Sequence, residues 1–565
     1  MSFQPSRTET IKTLFHGNRF VIPTYQRKYS WKFEQRKALW DDINENLEMR
    51  HFIGTLCFQK NEAAGDIIND VYDVIDGQQR ITTLYILLNV LIEKISTENK
   101  VAYTKLFIGD EDQPKLVPLG NDEGFMKNVI YNYEDINLDD IKIRSQRQLY
   151  NAKREFSSMI EDKTEKEIEN YISYVSKEIE ILIFNVTDQA QAVKMFSVIN
   201  DRGLPLSNLD KTKSALMMYS TIYLDCSLNE SVNENFGKVF DLLDNVLDKK
   251  EELRIFRTID DVDFENTFFT HHYYSSKHLF NDWDYQLGAS SIFKQIKRRC
   301  EQEKANPEKL KTFIENYIKD FFEFSKAYSD LFNEILINNE YPRLFQYLEF
   351  TATLYPLIVR LKQQGKLDGL LNILELAEVR VYKLKNTNPR RNMYMLASEI
   401  NEKDFSEKDI KGKVNEFVTN FLNDYQLEGY MNEGVDNKTA LVRYMLYEYN
   451  KEKYSQKLTL DEYRNLQVEH IFSVNPNYDT ETYGFERIEI YAKKISLIGN
   501  LTILEKGLNS KVGNICPTDK VDGYQESKLQ INSHLMANLD KFTQNYIEQR
   551  NLDLIDFSKT RFKLN

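Results

Sequence analysis

Residues 71–80 read Val-Tyr-Asp-Val-Ile-Asp-Gly-Gln-Gln-Arg and lead straight into an apolar run at residues 81–92. Val71, Val74 and Ile75, with Tyr72 beside them, predict a strand. Ile81, Leu84, Tyr85, Leu88 and Leu91 recur at helical spacing and predict a helix with one apolar face. Between the two lies the polar junction Asp76-Gly77-Gln78-Gln79-Arg80. Gly77 lets a backbone or a phosphate come close, and the helix behind it turns its free N–H groups and positive dipole end toward the junction. With an arginine, a carboxylate and two amides, such a corner can hold a nucleotide phosphate and its metal ion. A plain strand–turn–helix corner explains the same residues equally well, because one glycine turn is a weak signal.

A chain of 565 residues predicts about three or four domains and ample core. Its four cysteines are scattered without metal-ligand or redox spacing, which suits a reducing cytoplasm. No apolar run is long enough to span a membrane, and no secretory leader pattern opens the chain. The net charge of −13 argues against a nonspecific nucleic-acid coat, yet residues 1–40 carry eight basic and two acidic side chains. Either a solvated face or a phosphate-contacting edge accounts for that local excess.

That basic segment contains Phe20-Val-Ile-Pro-Thr-Tyr-Gln-Arg-Lys-Tyr-Ser-Trp31. Tyr25, Gln26, Arg27 and Trp31 are its candidate nucleic-acid contacts. Tyr25, Tyr29 and Trp31 would stack on bases and Arg27 would grip a phosphate. The competing reading is an aromatic strand edge packed on its own domain. A helix near 34–49 puts Leu39, Trp40, Ile43 and Leu47 on one side, and residues 52–58 predict a buried strand.

In that order, Ile22-Pro-Thr-Tyr-Gln-Arg-Lys-Tyr-Ser-Trp31, Phe52-Ile-Gly-Thr55 and Asp76-Gly-Gln-Gln-Arg-Ile-Thr-Thr-Leu84 resemble the N-terminal domain of the GmrSD-type restriction enzymes. That domain is similar to the ParB/sulfiredoxin fold. The resemblance implies binding and hydrolysis of a nucleoside triphosphate at Asp76, Gly77, Gln78, Gln79 and Arg80. Met195-Phe-Ser-Val-Ile-Asn-Asp-Arg-Gly-Leu-Pro-Leu206 resembles a further family segment, and Asn200 and Arg202 are candidates to complete the pocket. Locally, a helix over 190–199 would end at Gly203, and Ser207 would cap the next helix, which carries Lys211 and Lys213. A loop is expected near 109–122 and a strand over 179–186.

From 215 to 440 helical periods dominate, notably 309–337, 341–363 and 367–382, and no chemical motif appears. His271, His272 and His278 fit an aromatic core or an interface better than a metal site. Arg380, Arg390 and Arg391 flank a turn, either solvated or set to touch nucleic acid. The acidic stretches near 402–409 and 423–436 read as loops.

Near the C-terminus, residues 466–472 predict a strand ending in Glu469-His470, residues 497–504 a second strand, and Lys506 opens a helix bearing Asn509 and Lys511. This ββα pattern, with its Gly499-Asn-Leu-Thr-Ile-Leu504 phrase, resembles the HNH (ββα-metal) nuclease motif at the C-terminus of the same family. It departs from the family in lacking a proline soon after Glu-His-Ile. Phosphodiester hydrolysis needs an activated water and stabilisation of charge on phosphate. His470 suits a general base. Glu469 and Asn509 would supply oxygen ligands to Mg²⁺ or Mn²⁺. Asn500 would hold the loop that orients His470, and Lys511 would contact a phosphate.

The expected fold is α+β and predominantly helical: a ParB/sulfiredoxin-like domain at 1–215, a helical middle at 216–440 and an HNH unit embedded in helices at 441–565. The expected function is a nucleoside-triphosphate-regulated, metal-dependent DNA endonuclease in phage defence, with sensing of modified DNA implied by the resemblance. A nucleotide-switched DNA-binding protein with a silent nuclease half is the alternative, and an RNA-directed nuclease is a third reading. The cytoplasm is the expected compartment, no membrane is expected as a partner, and a homodimer stays open.

Overall fold

The computed structural model describes residues 7–47, 49–61, 69–96, 98–131, 136–137, 141, 143–186, 207–538 and 541–564. Six strands form a mixed sheet: β1 (Arg7–Thr10), β2 (Asn18–Ile22), β3 (His51–Lys60), β4 (Asp70–Asp76), β5 (Leu116–Pro118) and β6 (Ile179–Val186). Their spatial order is β1-β6-β3-β4-β2-β5. β3 runs parallel to β6 and antiparallel to β4, while β2 runs parallel to both β4 and β5. The stretch expected as a loop at 109–122 therefore supplies an edge strand, with Leu116 opposite Phe20.

The longer helices of this domain are α1 (Phe33–Glu45), α2 (Gln78–Glu93), α3 (Arg144–Met159) and α4 (Glu165–Lys177). The helix after the junction forms as expected, but every residue from Ile81 to Ile92 is buried. It is enclosed on all sides rather than on one face. Leu56 and Val74 of the sheet, Leu149 and Phe156 of α3, and Ile172 and Val175 of α4 share its core. The fully buried Arg36 ties α1 to α3 through Glu155, at 2.6 Å on both guanidinium contacts. Leu47, expected in the core, lies beyond the end of α1 and is exposed.

The middle is helical: α5 (Asn208–Tyr223), α6 (Asn229–Leu253), α7 (Asp261–Tyr274), α8 (Pro307–Glu334) and α9 (Tyr355–Gln363). Ser207 caps α5 by accepting from the Asp210 N–H. The helix expected over 341–363 is broken. A π-helical turn at Arg343–Leu348 ends at Glu349, whose φ is +59°, and α9 starts afresh with Pro356 in its first turn. The acidic stretches expected as loops are loops only in part: residues 403–406 and 433–436 are non-helical, and the rest is largely helical. α10 (Glu407–Phe421) and α11 (Asp424–Asn432) begin with capping boxes at Ser406 and Asn423.

The surface reading of Arg380 fails, whereas the core reading of His271 and His272 holds. Arg380 is fully buried and donates to the Phe562 and Leu422 carbonyls and to Asp424. His271 and His272 lie in the aromatic core of α7 and α8, and burial pulls their pKa values down to about 3 and about 4. His272 Nε2 lies 2.9 Å from Asp320, which Arg360 also clasps at 2.7 Å.

The C-terminal part contains α12 (Thr439–Tyr454), β7 (Leu466–His470), β8 (Leu501–Glu505), α13 (Lys506–Val512) and α14 (Gln544–Arg561). β7 and β8 pair antiparallel, with Leu501 opposite His470 and Thr502 opposite Glu469. α13 follows directly, so a strand–strand–helix unit is present. Leu501 and Ile503 join the large helical core, whereas Leu504 packs with Ile471, Phe472 and Val512 in a small core of its own. Among the described residues no helix is long and apolar enough to cross a membrane.

Gly77 sits at φ +86°, and a Cβ there would collide with Leu56 Cδ2. Gly77→Ala is therefore expected to destabilise the chain by about 1–3 kcal/mol, read as a lower urea midpoint at unchanged slope.

Candidate functional site

The junction between β4 and α2 is built as a clamp. Gln78 Nε2 donates to the Arg27 carbonyl at 3.1 Å and Gln79 Nε2 to the Lys28 carbonyl at 2.9 Å. Gln79 Oε1 accepts from the Ser30 N–H at 2.8 Å, and Gln26 Nε2 donates to the Ile75 carbonyl at 3.0 Å. These side-chain amides hold the segment 26–30 against the helix N-terminus, each giving a donor to backbone. Arg80 Nη1 donates to the Thr55 carbonyl at 2.9 Å, and its guanidinium lies over Gly54, where any Cβ would strike it. Burial lowers the Arg80 pKa, and the nearby Asp76 charge opposes that shift.

A cavity of about 120 Å³ opens beside this clamp, lined by Gln26, Arg27, Lys28, Gln78, Gln79 and Asp241 among others. Gln78 and Gln79 reach it; Asp76, Gly77 and Arg80 do not line it. Asn200 and Arg202 lie outside the described residues. The chemistry of the corner fits a phosphate group, with cations at the N-terminal end of a long helix. The volume is well short of the roughly 300–1,000 Å³ of a typical ligand pocket, so a whole nucleotide does not fit it as it stands.

The aromatic and basic segment is not an open nucleic-acid edge. Arg27 pairs with Glu265, and with Asp210 at 3.4 Å; burial pulls its pKa down, but the Glu265, Asp210 and Asp244 charges outweigh that and leave it raised. Lys213 donates from Nζ to the Tyr25 carbonyl at 2.7 Å and stands over the Tyr25 ring. Burial pulls Lys213 down to about 8. Tyr29 is buried with its hydroxyl 2.9 Å from Thr83 Oγ1, and Trp31 packs on the sheet-domain core. The reason is electrostatic: the acidic helical middle supplies the carboxylates that these cations need. Its partners were missed in the sequence, although Asp241, Asp244, Asp248 and Glu251 recur on α6 at helical spacing. Burial pushes the Asp244 carboxyl up to about 6, against the pull of Arg27, Arg144 and Lys28.

In the strand–strand–helix unit, consecutive residues of β7 leave on opposite faces. Glu469 is buried and pairs with Lys520 at 2.5 Å; the same ammonium donates to the His470 carbonyl at 2.6 Å. His470 Nε2 has no hydrogen-bond partner and lies 3.9 Å from the Asp436 carboxylate. Burial lowers the His470 pKa below its ordinary 6.5, with Asp436 opposing the shift. Asn509 Nδ2 donates to Gln467 Oε1 at 3.0 Å, and its Oδ1 is left without a partner. Asn500 is fully buried: its amide donates to the Phe472 and Ile495 carbonyls and accepts the Phe472 N–H, clamping the chain just after His470. Arg550 of α14 secures the same turn through the Gly499 and Leu501 carbonyls at 2.6 and 2.7 Å. Lys511 is exposed and paired with Glu526 at 2.5 Å.

The expected metal ligands do not fit a divalent ion in this arrangement. The Glu469 carboxylate is already paired with a buried ammonium, so the Asn509 Oδ1 is the open one of the two expected ligands. Among the described residues no three His, Cys, Asp or Glu side chains gather as a ligand set. Asp436 and Lys520 are the groups that sequence reasoning missed, because neither lies near His470 in the chain.

A mixed-sheet domain with an anion-suited helix end, joined through a helical middle to a strand–strand–helix unit with a neutral histidine, describes a multidomain protein with one binding and one hydrolytic candidate site. Residues 11–217 match the family model of the GmrSD restriction endonuclease N-terminal domain, and residues 419–557 match that of the C-terminal domain. Together the matches span more than half of the chain, which belongs to the GmrSD restriction endonuclease family. Membership supports a nuclease activity with DNA as the substrate. No curated protein matches the chain.

Removing one partner of the buried pair should expose its cost. Lys520→Met is expected to destabilise by roughly 3–5 kcal/mol, and Glu469→Gln on that background should recover a large part of it. Denaturant unfolding of both singles and the double checks this; strictly additive losses would show that the pair is not coupled.

Proposed function

We propose that this chain is a DNA endonuclease regulated by a nucleoside triphosphate, that it restricts modified foreign DNA, and that His470 is its general base. The observation that carries the reading is His470 itself. It ends a strand of a strand–strand–helix unit inside the residues that match the family's C-terminal domain. Its ring nitrogen Nε2 is unbonded, and its pKa is lowered. A neutral imidazole can take the proton of a water as that water attacks phosphorus; the O3′–phosphorus bond then breaks, and the O3′ leaves with the bonding pair and takes a proton from solvent water to become a hydroxyl. Asn500 and Arg550 would hold the loop that fixes the ring, and Asp436 would stabilise the imidazolium that forms. As the side chains stand they do not fit a metal ion, so the step is written for protein groups alone.

The nucleotide part of the reading rests on the Gln78–Gln79 corner within the residues that match the family's N-terminal domain. A second reading, a nucleotide-switched DNA-binding protein with a silent nuclease unit, is favoured by one observation: the Glu469 carboxylate is held by Lys520 rather than open to the site.

The deciding experiment is cleavage of plain, hydroxymethylated, glucosylated and phosphorothioated DNA, with and without each nucleoside triphosphate, in Mg²⁺, in Mn²⁺ and in EDTA. One modified substrate should be cut, His470→Ala should lose at least about 100-fold in rate, and Arg80→Ala should change the nucleotide response. Nucleotide hydrolysis that responds to DNA without any cutting would select the second reading. Because the pKa of His470 is lowered, the base form persists on acidification past pH 6.5, so the cleavage rate should hold to that point and fall only below it. A rate already half lost above pH 6.5 would remove His470 from the role of base.

A further inference from the structure

The sheet domain meets the helical middle across a seam of ion pairs. Asp241, Asp244, Asp248 and Glu251 recur along one face of α6. Opposite them stand Lys28, Arg27, Arg144 and Arg147 of the sheet domain. Arg147 pairs with Asp248, and Arg144 reaches Asp248 at 3.3 Å and Glu251 at 3.4 Å. On α7, Asp261 takes Lys32 and Arg144, and Glu265 takes Arg27.

The pairs are unequal. Glu265 is buried to 6 % side-chain exposure, whereas the Lys28–Asp241 pair, at 2.8 Å, has an Asp241 side chain that is 54 % exposed. That weaker pair is also the one in the right place. Lys28 and Asp241 both line the 120 Å³ cavity beside Gln78 and Gln79. Among the described residues, Asp241 is the one lining residue that the helical middle contributes; the rest belong to residues 22–149. A carboxylate on Lys28 competes with a phosphate for the same small cation-lined space at the positive end of α2.

We propose that Asp241 is a gate. The phosphates of a nucleoside triphosphate reach the N-terminal end of α2 by taking Lys28 from Asp241, and the loss of that pair loosens the seam between the sheet domain and helices α6 and α7. This rests on the reading of the Gln78–Gln79 corner as a nucleotide site, and adds to it how occupancy is passed to the rest of the chain. The exposed pair gives way first; the buried Arg27–Glu265 pair keeps the domains joined while they shift.

The test uses the full-length chain. Binding of ATP, GTP, CTP, UTP and inorganic triphosphate is measured by calorimetry for the wild type, for Asp241→Asn and for the charge exchange Lys28→Glu with Asp241→Lys. Removal of an exposed pair predicts about a two- to fivefold tighter binding of the preferred probe to Asp241→Asn. The charge exchange keeps the seam paired and should bind more weakly than the wild type. Hydrogen exchange across residues 229–274 should rise when the wild type binds its probe, and should already be raised in unliganded Asp241→Asn. If a probe binds the wild type but Asp241→Asn binds it equally, or exchange across 229–274 does not change, the gate is wrong and the nucleotide reading stands. If no probe binds either protein, the nucleotide reading falls and the gate falls with it.

Discussion

A helix with no polar face over twelve consecutive residues must be surrounded, and the first domain is arranged around that requirement. Residues 81–92 bury every side chain, so α2 needs the sheet on one side and α3 and α4 on the others. Burying a Leu or Ile side chain is worth about 1.5–3 kcal/mol, and leaving this helix in water would forfeit that many times over. Its N-terminal end is thereby held at one place relative to β4. Gly77 makes the turn possible, because only a glycine there avoids both the strain of a positive φ and the Leu56 side chain.

Charge placement does the second part of the work. In a chain of net charge −13, the basic N-terminal segment is not left to solvent but is neutralised from within by α5, α6 and α7. Buried ionic groups recur where helices cross. Asp320 is shared by Arg360 and His272, Glu375 by Arg343 and Arg561, and Glu469 pairs with Lys520. Such groups add little net stability against apolar substitutes, but each is costly to leave unpaired, so they restrict which helix packs against which.

Local elements were readable to the extent that local forces set them. The strands at β3, β4 and β6, the α2 helix, the Ser207 cap and the two strands before Asn509 follow from periodicity and capping. The break at Glu349 and the helices in the acidic stretches did not. A π-helical turn is decided by what packs on it, and capping boxes at Ser406 and Asn423 outweighed the polar composition behind them. At the candidate sites, residue identity was legible and partnership was not. His470 and Asn500 stood out by motif, whereas Lys520 and Asp436 are fifty and thirty-four residues from His470 in the chain. Gln78 and Gln79 drew attention as ligand donors, yet the fold bonds each of their amides to the backbone of residues 27–30.

By itself the sequence determined the α+β class, the strand–junction–helix corner, the strand–strand–helix unit and the family resemblance at both ends, because each depends on residues adjacent in the chain. Tertiary structure alone decided that Arg27 and Lys28 answer to carboxylates of the helical middle, that Glu469 is paired with Lys520, and that Asp241 lines the cavity beside Gln78 and Gln79. The physical reason is the same in each case. Coulombic pairing and desolvation act on distance in space, and no local spacing rule records which distant charge will arrive.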